Sequence, residues 1–212
     1  MMIGAAGAVP AQAGDSNGNM QVKLGVTGLI FDDKTTSTSA NIAGLHAEVN
    51  DTILPTLMLN YYFSPNWSVE LFCCFAQLNV HNKAGGKLAS TWAFPPMLTA
   101  QYHFTNFGPV KPYVGAGVEW IHYFDESSNL PGSSVEFRDS WGVVLQAGVD
   151  YDLGNGFSLG LDAKKVWEKT KLTYDIPAYA NHDLDPWVLT ANLGYRFDLG
   201  SLLGRREVIP LK

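Results

Sequence analysis

The stretch Asp185-Pro-Trp-Val-Leu-Thr-Ala-Asn-Leu-Gly-Tyr-Arg-Phe197, DPWVLTANLGYRF, decides the fold. After the proline every second residue is apolar: Trp187, Leu189, Ala191, Leu193, Tyr195 and Phe197. Between them stand Val188, Thr190, Asn192, Gly194 and Arg196. Strict alternation is the signature of a strand with one oily face. This face carries aromatics at both ends.

The same period recurs in eight segments, roughly 20–31, 52–63, 67–79, 91–104, 112–124, 138–152, 156–170 and 186–197. No segment keeps a helical period. The segments run about 12–15 residues, against about 5–6 for an ordinary strand. A tilted strand needs about 9–11 residues to cross the apolar layer of a bilayer. Three connections are short: Ser64-Pro65-Asn66, Thr105–Lys111 and Leu153-Gly154-Asn155. Four are long: 32–51, 80–90, 125–137 and 171–185. Short turns at one end and long loops at the other predict an all-β fold, an eight-stranded antiparallel up-and-down transmembrane β-barrel.

Composition is compatible with this. Charged residues are 16% of the chain and the net charge is −6, which argues against a nucleic-acid partner. No apolar run is long enough for a membrane helix, which says nothing about barrels. Cys73 and Cys74 are neighbours in a strand, so their sulfurs diverge and no mutual disulfide is expected. No Cys/His spacing suggests a metal site and no motif suggests a cofactor. The leader MMIGAAGAVPAQA, residues 1–13, ends in an Ala-x-Ala pattern and reads as the remnant of a signal peptide. On that reading the barrel domain spans 14–197 and a C-terminal tail spans 198–212.

Orientation follows from the tryptophans and from volume. Trp67, Trp92, Trp120, Trp141, Trp167 and Trp187 all fall on the oily parity, most near a strand end, as interfacial anchors do. An eight-stranded interior holds one layer of side chains. The oily rows would overfill it, whereas Gly25, Thr27, Asn60, Gly142, Gly148 and Gly160 on the other parity fit. The oily face is therefore expected to rest on lipid. Lys165, on the lipid parity, must then lie near the headgroups.

Inward parity divides the interior. Towards the loops it gives Leu29, Leu54, Met58, Leu78, Met97, Ile121, Val144, Val166 and Val188, a hydrophobic lumen. Towards the turns it gives Gln101, His103 and Gln146, with the charges Lys23, Glu70, Glu119, Asp150, Asp162, Lys164 and Arg196. These charges are expected to form a polar plug, with Glu119–Arg196 and Glu70–Lys23 as candidate pairs. Pro55, Pro95 and Pro96 lie inside strands, where each removes a ladder donor. They mark either a bend that shapes the barrel or a weak place in its wall.

With the segments in place the chain resembles the outer-membrane protein W (OmpW) family of eight-stranded barrels. The resemblance is carried by LPTLMLNYYF (54–63), FPPMLTAQYHF (94–104), KPYVGAGVEW (111–120), DSWGVVLQAGVDYDL (139–153) and the closing DPWVLTANLGYRF. It implies a bacterial outer-membrane location, with termini and short turns in the periplasm and lipid and lipopolysaccharide as neighbours. It also implies a narrow, partly apolar lumen that passes small hydrophobic molecules. Family members usually end at the aromatic residue matching Phe197. Here Asp198–Lys212 follows, a periplasmic tail or an expression remnant. Two readings of function stay open at this point. One is a hydrophobic channel, with or without lateral exit into the bilayer. The other is a structural or adhesive barrel that works through its loops. Catalysis is not expected, because no Ser/His/acid spacing points to it.

Overall fold

The computed structural model describes residues 18–30, 34–38, 47–49, 52–82, 87–128, 135–137, 139–174, 178–183 and 185–202. In chain order the strands are β1 Met20–Ile30, β2 Lys34–Thr38, β3 Ala47–Val49, β4 Thr52–Tyr62, β5 Trp67–Cys73, β6 Ala76–Asn82 and β7 Lys87–Phe94. They continue with β8 Met97–His103, β9 Val110–Ser128, β10 Val135–Phe137, β11 Ser140–Gly154, β12 Phe157–Tyr174, β13 Ala178–Asp183 and β14 Trp187–Phe197. A single helical turn, α1 Leu199–Leu202, follows. Its first N–H, at Leu199, donates to Asn19 Oδ1 at 3.0 Å. The leader 1–13 and residues 203–212 of the tail lie outside the described residues.

Antiparallel pairing runs β1–β4–β5–β8–β9–β11–β12–β14 and returns to β1. The sheet therefore closes into an eight-stranded barrel with no free edge. One short turn differs from expectation. Gly154 pairs with Phe157, so the loop is Asn155–Gly156, both at positive φ (53° and 85°). Asn-Gly suits such a two-residue turn, whose twist matches its strands.

The burial pattern confirms the parity. In β14 the residues alternate from exposed Trp187 to buried Val188 and onward through Gly194. The oily side chains face outward: Leu24 is 64% exposed, Leu161 63% and Trp141 69%, while Lys23 and Lys164 are 0% exposed. A water-soluble barrel has the reverse arrangement. Aromatics form a belt at each end. Near the turns Trp67 packs edge-on against Tyr102 and Phe157 leans on Tyr195. Near the loops Trp120 meets Trp141 at 6.3 Å. Five of the six tryptophans are exposed and Trp92 is half-buried. Lys165 pairs with Trp187 across the ladder, sits over its ring, and donates from Nζ to the Asp185 carbonyl, at the loop-end belt as expected.

Two expectations need correction. The long loops are partly strand: β9 has 19 residues and β12 has 18. At roughly 3.3 Å per residue they reach about 60 Å, well past an apolar layer about 25 Å tall. β12 continues to pair with β10 and β13, and β6 with β3 and β7. Backbone pairing carries on beyond the membrane without oily alternation, so periodicity misses it. Secondly, the third and fourth predicted strands are each broken, at Cys74–Phe75 and at Pro95–Pro96. The register survives the break, with Phe72↔Met97 below it and Ala76↔Ala93 above.

Candidate functional site: an apolar chamber on an ionic floor

The interior has two storeys. In the outer one Leu29, Leu54, Met58, Met97, Ile121, Val144, Val166 and Val188 form one buried cluster. The inward parity placed all eight there; the ninth, Leu78, has a side chain outside the described residues. Phe72, Cys74, Ala76, Ala93 and Tyr123 join the cluster. They share the inward parity of their strands, and parity alone could have found them. A cavity of about 30 Å³ remains, lined by Leu29, Phe72, Met97, Ile121 and Val188 among others. That is room for about two waters. Side chains fill the chamber almost completely.

Beneath it lies an ionic floor. Lys164 Nζ reaches Asp162 Oδ1 at 2.5 Å and Glu70 Oε1 at 3.1 Å, and lies 4.8 Å below the Phe72 ring. Phe72 thus separates charge from oil. Lys23 Nζ pairs with Asp150 Oδ2 at 2.6 Å and sits over the Tyr113 ring. Tyr113 donates its hydroxyl to Asp162 Oδ2 at 2.8 Å. Gln146 Nε2 donates to both Glu70 and Asp162, and its Oε1 accepts from Thr99 and Gln101. Gly148 is small because Tyr113 lies over it: a Cβ there would be 2.4 Å from the ring. In the low-dielectric interior such a connected network is rigid when its members are satisfied. Asn60, Asn192 and one oxygen each of Glu70 and Asp150 keep atoms with no protein partner. Polar atoms of this kind are where ordered water binds.

Both expected ion pairs are wrong. Lys23 pairs with Asp150 and not Glu70; Glu70 pairs with Lys164. Arg196 lies at the periplasmic rim, where its guanidinium stacks 3.7 Å over Tyr62 and its Nε donates to the Gly18 carbonyl. Glu119 is not in the floor. Its ladder partners are Met97 and Gly142, and it lines the apolar chamber. Parity says which face a residue takes. It does not say at what height it sits or which strand it meets across the lumen.

The wall is interrupted beside β4 among the described residues. β4 pairs with β5 from Leu57↔Cys73 to Tyr62↔Ser68, and β3 pairs with β6 from Ala47↔Asn82 to Val49↔Val80. Between these ladders residues 53–56 pair with β1 alone among the described residues. Pro55 lies on that unpaired edge, where its missing N–H costs no ladder bond. Behind the seam stand Leu54, Cys74 and Ala76, all in the chamber's apolar cluster.

A family model described as the OmpW family matches residues 16–197. The chain belongs to the OmpW family. It is 30% identical to Outer membrane protein W of Vibrio cholerae, over 85% of this chain and 89% of that one. It is 28% identical to the Dibenzothiophene metabolism operon protein PahQ of Pseudomonas aeruginosa, over 82% of this chain and 87% of that one. The crystal structure of the outer membrane protein OprG from Pseudomonas aeruginosa superposes with a TM-score of 0.75. It is 27% identical, over 86% of this chain and 97% of that one. As an OmpW barrel the protein resides in the outer membrane, and its oily face rests on lipid.

Proposed function

We propose that this OmpW barrel passes small hydrophobic molecules from outside into the bilayer, without catalysis. The observation that carries the reading is an apolar chamber standing on a closed ionic floor, beside residues 53–56 of the wall, which pair on one side only among the described residues. A solute entering from the loops meets apolar walls and gains about 25 cal/mol per Å² on burial. It then meets buried charges whose partners are already in place, and goes no deeper. The seam between residues 53–56 of β4 and β6 is the way out, sideways into lipid. The chamber is nearly full, so passage requires side chains to move. Met58 and Met97, unbranched and adaptable, suit that role. In this reading Leu29, Leu54, Met58, Met97, Ile121, Val144, Val166 and Val188 line the path. The charges of the floor are the plug, and the tryptophans anchor the barrel to headgroups and lipopolysaccharide. The relative named for dibenzothiophene metabolism fits a role near apolar compounds.

The test is Leu54→Asp combined with Met58→Asp. Wetting the chamber imposes a desolvation cost on any apolar guest. Uptake of a small hydrophobic probe into vesicles is expected to fall, while heat-modifiable gel mobility shows the barrel still folded. A folded double variant that takes up probe as fast as the parent would make the structural or adhesive reading the better one.

A further inference from the structure

The chamber is not uniformly apolar. Glu119 and Glu168 project into it from β9 and β12, and are 2% and 3% exposed. Both pair across the ladder with the same residue, Gly142 of β11, so they occupy one row on either side of a glycine. Gly142 leaves them space, because a Cβ there would lie 3.3 Å from Glu119 Oε2. Glu119 Oε2 is buried and has no hydrogen-bond partner among the described residues. Glu168 Oε2 accepts a long bond from Ser140 Oγ, at 3.4 Å.

The surroundings add negative charge. The Glu168 N–H donates to Asp185 Oδ1 at 3.1 Å, which brings a third carboxylate to the row. Along β12, Lys165 is turned to the lipid belt over Trp187, and the side chain of Lys169, next to Glu168, lies outside the described residues. Among the described residues neither Glu119 nor Glu168 makes an ion pair, whereas every buried acid of the floor shares the lumen with Lys23 or Lys164. A buried carboxylate without a cation is costly. Such a group holds a proton instead, so a guest cation binds by taking the proton's place.

We propose that Glu119 and Glu168 form a cation-accepting subsite in the chamber wall, which takes the ammonium end of an alkylamine. The alkyl chain then lies against Phe72, Met97 and Ile121. This rests on the reading of the chamber as a solute site. An ammonium carries three donors and no acceptor, so one head group can serve both carboxyls. A neutral alcohol offers one donor. A fatty carboxylate offers none and is repelled. The chamber therefore selects amphiphiles by head group as well as by size.

The probes are hexylammonium, hexanol and hexanoate, titrated against the full chain refolded in lipid nanodiscs. In the parent, hexylammonium is expected to bind roughly tenfold or more tighter than hexanol, as a charge-assisted hydrogen bond replaces a neutral one. Hexanoate is expected to compete with neither. Glu119→Gln, and Glu119→Gln with Glu168→Gln, keep the shape and should bring hexylammonium down to the affinity of hexanol. Hexanol binding should change far less, since it rests on the alkyl chain. If Glu119→Gln fails the gel-mobility test for folding, Glu168→Gln alone is scored in the same way. Hexanol and hexylammonium binding equally in the parent, or a preference that survives the glutamines, overturns the subsite and leaves the chamber standing. Hexanol failing to bind the parent overturns the chamber reading, and the subsite with it.

Discussion

The two storeys of the lumen are the same size of problem solved in opposite ways. The floor fills its space with charge, and Lys23, Lys164, Glu70, Asp150 and Asp162 meet one another at 2.5–3.1 Å. The chamber fills the same narrow bore with Met, Val, Leu and Phe side chains that no hydrogen bond orders. An ionic network has one good arrangement, because each lost partner strands a buried charge. An apolar cluster tolerates repacking so long as volume is kept. One storey is built to stay shut and the other can yield.

The largest expected effect breaks the floor. Lys164→Met keeps the bulk of the chain but leaves Glu70 and Asp162 buried without their cation. Urea unfolding in lipid vesicles should show a loss of about 3–5 kcal/mol. A loss under half of that would mean water enters the floor and screens it.

Next comes the outer surface, which separates both storeys from lipid. Leu98 of β8 and Leu145 of β11 lie between the two aromatic belts, and each is 50% exposed. Leu98→Arg and Leu145→Arg should each cost about 2–4 kcal/mol near the midplane, read in the same unfolding assay. Near-neutral values for both would place the lipid on the other face.

A smaller effect tests the pairing. A double-mutant cycle on Lys23→Met and Asp150→Asn should return a coupling of about 0.5–3 kcal/mol. The same cycle on Glu119→Gln and Arg196→Met should be additive within about 0.5 kcal/mol, since one lines the chamber and the other the periplasmic rim. Strong coupling in the second cycle would restore the pairing suggested by parity.

The smallest effect belongs to the chamber. Met97→Leu conserves volume in a buried position and should cost less than about 1.5 kcal/mol. A cost near that of Lys164→Met would erase the contrast between the storeys.

How far the sequence reaches can be followed along single strands. In β14 the alternation of Trp187 to Phe197 foretold every inward and outward side chain through Tyr195. In β9 it put Glu119 correctly inside but at the wrong height and with the wrong partner. In β4, Pro55 signalled a ladder defect. Only the register showed that the defect faces β6 and that the break at Pro95–Pro96 leaves its ladder in step.

By itself the sequence determined the strand period, the number of barrel strands, the lipid-facing parity and the division of the lumen into oil and charge. These are local properties: side chains alternate at each residue, and a narrow bore admits only the smaller or fewer residues. Tertiary structure alone decided which lysine meets which acid, where the wall parts and why two glutamates stand in oil beside Gly142. Those depend on strand stagger around the closed barrel, which is a property of the whole ring and is written in no single strand.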